Sequence, residues 1–207
     1  MNFRNLFSRD VDKFNVPARN TRLEDLRLLA VDMETTDVDP RKGRIVSIGW
    51  VPIDGREIAV GEGGYVVVAG GEVGDSALIH GITDSQSAHG ISEGDAIAHL
   101  MSALGGRVLL AHFAPLEVGY LKAAYKRLYT RTLDIPILDT FVLERRHMEK
   151  MGTYPRGEDL RLARVRKRYN LPAYRNHNAL TDALACAEVY LAITANGRAT
   201  TWGALEK

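Results

Sequence analysis

AVDMETTD, residues 30–37, closes the apolar run Leu28, Leu29, Ala30, Val31 with three acids in close succession, Asp32, Glu34 and Asp37. Alternate side chains of a strand share a face, so Asp32 and Glu34 point one way while Met33 points the other. Two like charges held side by side repel each other, and a buried strand that ends on them calls for a counter-charge. A divalent cation supplies it, because carboxylate oxygens are the hard ligands that Mg2+ and Mn2+ prefer. The competing reading is a solvated turn in which Thr35, Thr36 and Asp37 are ordinary turn residues.

Working outward, residues 26–32 (LRLLAVD) and 44–53 (RIVSIGWVPI) read as strands. A DG turn at 54–55 leads into EIAV and then YVVVA at 65–69, a meander of about three strands. After a loop over 70–92, EGDAIAHLMSALG reads as an amphipathic helix and RVLLAH as a short buried strand. PLEVGYLKAAYKRLY is helical, ILDT is a strand end, and FVLERRHMEK and EDLRLARVRKRY are two further helices, the second stopped near Asn170 and Pro172. A last helix runs from about Asn178 to Ala195. A meander followed by alternating strands and helices implies an α/β fold with a mixed sheet and helices on its faces.

The 207 residues, 45% hydrophobic and 26% charged, fit one globular domain, with residues 1–25 as an N-terminal arm and 26–207 as the domain itself. A net charge of +1 carries no protein-wide sign of nucleic-acid binding, so any such footprint is local. Cys186 is the single cysteine, no apolar run has transmembrane length, and the start lacks a signal-peptide pattern. These features predict a soluble cytoplasmic protein without a membrane partner.

Further candidates stand at element ends, where open α/β sheets build their sites. Glu117 lies in the first turns of the helix in AHFAPLEVGYL (111–121). Asp139 ends ILDT, where an N-cap or a supporting role is the expected one, and His177 and Asp182 bracket a helix start in HNALTDA (177–183). His177 is expected on the loop before that helix, and Cys186 inside it as a small core residue. Arg161, Arg164 and Arg168 share a helical stripe that is either a solvated face or a track for phosphates.

Asp-x-Glu, then an acid in an Ala-His-led helix start, then His-x-Ala-x-x-Asp resembles, in that order, the DEDD exonuclease superfamily in its histidine branch. IHGIT at 79–83 is similar to a stretch of the proofreading exonucleases, the epsilon subunits, of bacterial DNA polymerase III. The resemblance implies a ribonuclease H-like mixed five-stranded sheet and a 3′–5′ exonuclease with two Mg2+ or Mn2+ ions. It makes Asp32, Glu34, Glu117 and Asp182 the metal-binding catalytic carboxylates and His177 the general base. It places Thr35, Thr36, His80, Ile82, Thr83 and Phe113 beside the substrate, a single-stranded 3′ end, with DNA favoured over RNA. The alternatives are a 3′–5′ exoribonuclease and a weakened module that only binds nucleic acid or nucleotides. This chain departs from the family in having Glu117 where Asp is usual and Phe113 where Asn is usual. Glu reaches roughly 1.5 Å further, and Phe113 is expected to fill the space left by Asn and so aim the helix that carries Glu117.

Overall fold

Two long neighbouring strands, β2 (Arg27–Thr35) and β3 (Ile45–Asp54), are buried along most of their length, β2 with the apolar run Leu28–Val31 and β3 with an apolar run from Ile45 to Ile53 interrupted only by Ser47 and Gly49. Runs of that kind need cover on both faces. In the computed structural model, which describes residues 11–70, 76, 81–175 and 177–206, helices supply it. β2 and β3 pair antiparallel. Beyond β3, its outer edge takes β4 (Glu57–Ile58) near one end and β5 (Gly64–Val67) near the other. On the far side of β2, β6 (Val108–Ala111) and β8 (Ile137–Asp139) continue the sheet in parallel. The sheet therefore contains six strands but is five wide, because β4 and β5 share one edge. A separate parallel pair joins β1 (Val11–Lys13) to β7 (Thr132–Asp134). There Asp12, buried, accepts hydrogen bonds from Tyr125 Oη and the Arg131 guanidinium, which ties β1 to the body.

The strand alternation decides which helices meet which face. Leu29, Val31 and Met33 pack with Ile97, Leu100, Leu121 and Tyr125 from α2 (Glu93–Leu104) and α3 (Pro115–Tyr129). Leu28 and Ala30 face the other way, toward Ala187, Val189 and Tyr190 of α6 (Ala179–Asn196). By the same alternation Asp32 and Glu34 lie on the face that α6 covers. The described part of the loop over 70–92 includes the short helix α1 (Asp84–Ala88), and between α3 and α6 the chain forms α4 (Thr140–Lys150) and α5 (Leu162–Arg168), with α7 (Trp202–Leu205) following α6.

The stretch read as one helix over 158–169 is a 3-10 turn, Gly157–Leu160, and then α5, broken at Arg161 with ψ 139°. Helix ends elsewhere follow local chemistry. Pro115 occupies the first turn of α3, where its missing N–H costs nothing, and Thr130 ends the helix at φ 55°. Asn178 caps α6 by accepting from Thr181 N at 3.1 Å. Among the described residues no helix is long and apolar enough to cross a membrane.

Candidate active site

The face shared by Asp32 and Glu34 is accessible to a third acid because of what stands beside them on β3. Gly49 is the register partner of Asp32, and Ser47 that of Glu34. A Cβ at Gly49 would collide with the backbone of Ala179 and Leu180, so the first turn of α6 rests directly on the sheet at that point. Asp182 follows within the same turn. The result is that carboxylate oxygens of Asp32, Glu34 and Asp182 all lie within 4.8 Å of one another.

Glu117 approaches from the first turn of α3. It is 2% exposed, and its Oε2 is buried without a hydrogen-bond partner. An acid so placed is costly unless something else satisfies that oxygen. Burial, then the charge of Asp139 and that of Glu34, pushes the Glu117 carboxyl up to about 8. Burial, followed by the neighbouring Glu117, Asp182 and Glu34, holds Asp32 well above the usual carboxylate range. Burial and then Asp182 raise Glu34 to about 7. Asp182 is also raised by burial, against the pull of the His177 N–H bound to it. Asp32, Glu34 and Asp182 form a donor set that a hard divalent cation fits, and the orphaned buried oxygen of Glu117, whose charge acts on Asp32, is an observation in its favour.

His177 is exposed, with its backbone at φ 68°, just ahead of α6. Its N–H donates to Asp182 Oδ2 at 2.8 Å, so the loop carrying the imidazole is tied to one of the carboxylates. The loop after β2 is also held. Thr35 Oγ1 donates to the Asp37 carbonyl at 2.9 Å, Thr36 Oγ1 accepts from Arg44 N at 3.0 Å, and Tyr120 Oη donates to the Asp37 carbonyl at 2.5 Å. Tyr120 lies on the same helix as Glu117, so one element sets both the fourth carboxylate and this loop.

Among the remaining candidates, Ile82 is buried in a small cluster with Val46 and Val67. Thr83 caps α1, with its hydroxyl accepting from Gln86 N at 3.2 Å. His80 lies outside the described residues. Phe113 differs from its expected space-filling role: the residue is 52% exposed and therefore cannot aim α3 from within. Asp139 does that work. Its Oδ1 accepts from Phe113 N at 3.0 Å and from Phe141 N at 2.9 Å, and its Oδ2 accepts from Ala114 N at 3.0 Å. One carboxylate thereby caps α4 and fixes the entry to α3. His112 is held between the Thr140 hydroxyl and the Leu160 carbonyl, at 2.8 and 2.7 Å, and burial lowers its pKa. Cys186 is buried against Thr140 Oγ1. In the basic stripe, Arg164 pairs with Asp159 and Arg168 with Glu144.

The sequence reading passed over Gly49 and Tyr120. Gly49 did leave a signal, since an isolated glycine inside a strand marks a close backbone approach. Tyr120 left none, as its hydroxyl reaches a loop some eighty residues away.

Known proteins resemble this chain in sequence and in fold. The DNA polymerase III subunit epsilon-like protein of Rhodobacter capsulatus is 31% identical over 192 residues, 89% of this chain and 26% of that protein. The DNA polymerase III subunit epsilon of Rickettsia felis is 27% identical over 198 residues, 89% of this chain and 81% of that one. PolC-type DNA polymerase III of Thermotoga maritima is 28% identical over 168 residues, and there the match covers only 12% of the longer protein. In fold, the chain is similar to E. coli exonuclease I in complex with a 5cy-dT13 oligonucleotide. The TM-score is 0.68 at 16% identity, with 83% of this chain and 41% of that one covered. Cell-death related nuclease 4 gives a TM-score of 0.68 at 16% identity, over 84% of this chain and 65% of that one. The profile of the Exonuclease family RNase_T matches residues 29–190, from the body of β2 to the last turns of α6. Since that span takes in every carboxylate of the cluster and the helices that deliver them, the chain belongs to the RNase_T exonuclease family.

Proposed function

We propose that this chain is a divalent-metal-dependent 3′–5′ exonuclease that releases nucleoside 5′-monophosphates from single-stranded DNA. The observation that carries the reading is the meeting of Asp32, Glu34 and Asp182 within 4.8 Å, beside the buried, unpartnered oxygen of Glu117. Asp32, Glu34 and Asp182 would hold two Mg2+ or Mn2+ ions through their oxygens, with Glu117 completing the set. The chemistry such ions supply is charge neutralisation, polarisation of the scissile phosphate and acidification of water.

The other steps belong to the chain's own groups. His177 accepts the proton of the attacking water at a ring nitrogen. The water oxygen bonds to phosphorus as the bond to the leaving 3′ oxygen breaks, that oxygen takes up a proton from solvent to become a 3′-hydroxyl, and the 5′-monophosphate departs from a strand one nucleotide shorter. The bond from His177 N to Asp182 keeps this base beside the carboxylate cluster. Thr35, the last residue of β2, and Thr36, at the start of the loop pinned by Tyr120, are assigned to the terminal nucleotide. DNA is favoured over RNA on the strength of relatives named for DNA polymerase III and a fold neighbour solved with a dT13 strand.

The test is hydrolysis of 5′-labelled DNA and RNA strands of matched sequence. Shortening from the 3′ end should require Mg2+ or Mn2+ and stop with excess chelator, with DNA the faster substrate. His177→Ala should slow the reaction by roughly 100-fold or more, the usual share of a general base, while retaining metal binding. Turnover that survives chelation sinks the metal reading, faster RNA cleavage makes the chain an exoribonuclease, and oligonucleotide binding without turnover makes it a binding module.

A further inference from the structure

Phe113 occupies a position that rewards phenylalanine neither in its backbone nor by burial. Its φ of 77° is left-handed, a conformation costly for a bulky side chain and well suited to Gly or Asn. About half of the residue faces solvent. Asp139 imposes the conformation from below by accepting the N–H groups of Phe113 and Ala114. A large apolar ring is thus held outward at an energetic cost, and such strain collects where a site needs it.

Its surroundings suit a flat, electron-rich ligand. The ring meets Phe141 edge-on, with centroids 5.4 Å apart and planes at 67°. The Arg145 guanidinium stands 5.2 Å from the Phe141 centroid. The location suits a substrate strand as well. β6 runs parallel to β2 with Leu110 beside Ala30; continued, that count brings Phe113 one residue past the level of Asp32. Glu117 follows four residues later. A rim next to so many carboxylates offers a nucleic acid little attraction through charge, so affinity there has to come from base stacking and from the nearest cation.

We propose that the Phe113 ring forms a stacking platform for a nucleobase of the single-stranded substrate, buttressed by its T-shaped contact with Phe141, with Arg145 serving the adjacent phosphate. This inference rests on the exonuclease reading above and names the residues that grip the strand. A phenyl face accepts any base, so the platform promotes binding without sequence preference.

The test is a set of initial rates on a single-stranded oligodeoxynucleotide and on the same strand with its last nucleotides made abasic. Phe113→Ala should raise KM at least about fivefold on the normal strand, the low end for losing one base–aromatic stack, with the effect on KM rather than kcat. Phe113→Asn suits the left-handed backbone and so keeps the fold, and it should raise KM in the same way. Phe113→Trp should restore it. Arg145→Ala should raise KM and weaken its dependence on salt. On the abasic strand, wild type and Phe113→Ala should have equal KM. An unchanged KM in Phe113→Ala and Phe113→Asn, or an equal rise on both strands, overturns the platform. If the wild type does not turn over, it is the exonuclease reading that fails. Anisotropy of a fluorescent oligonucleotide with Mn2+ then still decides the platform: weaker binding by Phe113→Ala and recovery in Phe113→Trp support it, and equal affinities overturn it.

Discussion

At the scale of single residues, Glu117 concentrates the tension of this site. Its carboxyl is raised to about 8, so in the metal-free protein near pH 7 it carries a proton and costs little charge repulsion. Glu117→Gln therefore replaces a neutral group by a neutral group of the same shape. The metal-free melting temperature should move by less than about 4 °C, the shift expected from roughly 1 kcal/mol in a chain of this size. Stabilisation by Mn2+ should shrink, since one negative ligand is gone. Glu117→Asp retains the charge but withdraws it by one methylene, and groups misplaced by about 1 Å can cost roughly 100-fold in rate. We expect a slower enzyme, because the first turn of α3 is fixed through Asp139 and cannot advance to close the gap. Melting curves with and without Mn2+, together with turnover of the three proteins, check both expectations, and an Asp variant tenfold faster than wild type would show that Glu117 is a defect rather than an adaptation.

At the scale of elements, function depends on how close α6 lies to β3. Gly49→Ala places a methyl group against the backbone of Ala179 and Leu180, and overpacking of this kind typically costs about 1–3 kcal/mol. The helix must lift, and Asp182 lifts with it. Turnover should fall by roughly 100-fold, more than the stability loss alone would produce, while Gly61→Ala, with open space around it, should change neither. Wild-type turnover in Gly49→Ala would mean that the helix start is positioned by something else. Elements of this length were largely legible beforehand. α3 begins and ends where PLEVGYLKAAYKRLY does, because Pro115 suits a first turn and the apolar spacing runs on to Tyr129. β8 coincides with the strand end read in ILDT, whereas β7, three residues long, is too short for alternation to register. The pairing of β1 with β7 joins segments more than a hundred residues apart, and no local signal marks it. The first and third motifs contain the acids that come together, Asp32, Glu34 and Asp182; the closeness that lets them meet, the bare backbone of Gly49 beneath Ala179, is tertiary and could only be seen in the fold.

At the scale of the whole molecule, the acid cluster makes folding itself depend on pH. Glu34 and Glu117 have native values near 7 and 8 against an ordinary 4.5, and Asp32 and Asp182 are likewise raised. Between about pH 4.5 and 8 the native metal-free chain thus holds protons that the unfolded chain has released. Stability rises with pH only where the unfolded state binds more protons, so in this window it must fall. The contribution of these acids is fully present below their unfolded values and is lost as pH climbs through 7 and 8. The melting temperature of the metal-free protein should drop by at least about 5 °C between pH 5.5 and 8, equivalent to a kcal/mol or two in a chain of this length. Metal reverses the slope, because ligands must lose their protons to bind it and binding stabilises only the native state. The rise in melting temperature caused by saturating Mn2+ should accordingly be larger at pH 8 than at pH 6, and Asp32→Asn should flatten both trends. Thermal melts at the two pH values, with chelator and with Mn2+, read all of this at once. A metal-free protein more stable at pH 8 than at pH 6, or a Mn2+ effect indifferent to pH, would mean that the four carboxylates do not titrate as a buried cluster and that the cation is not held by them.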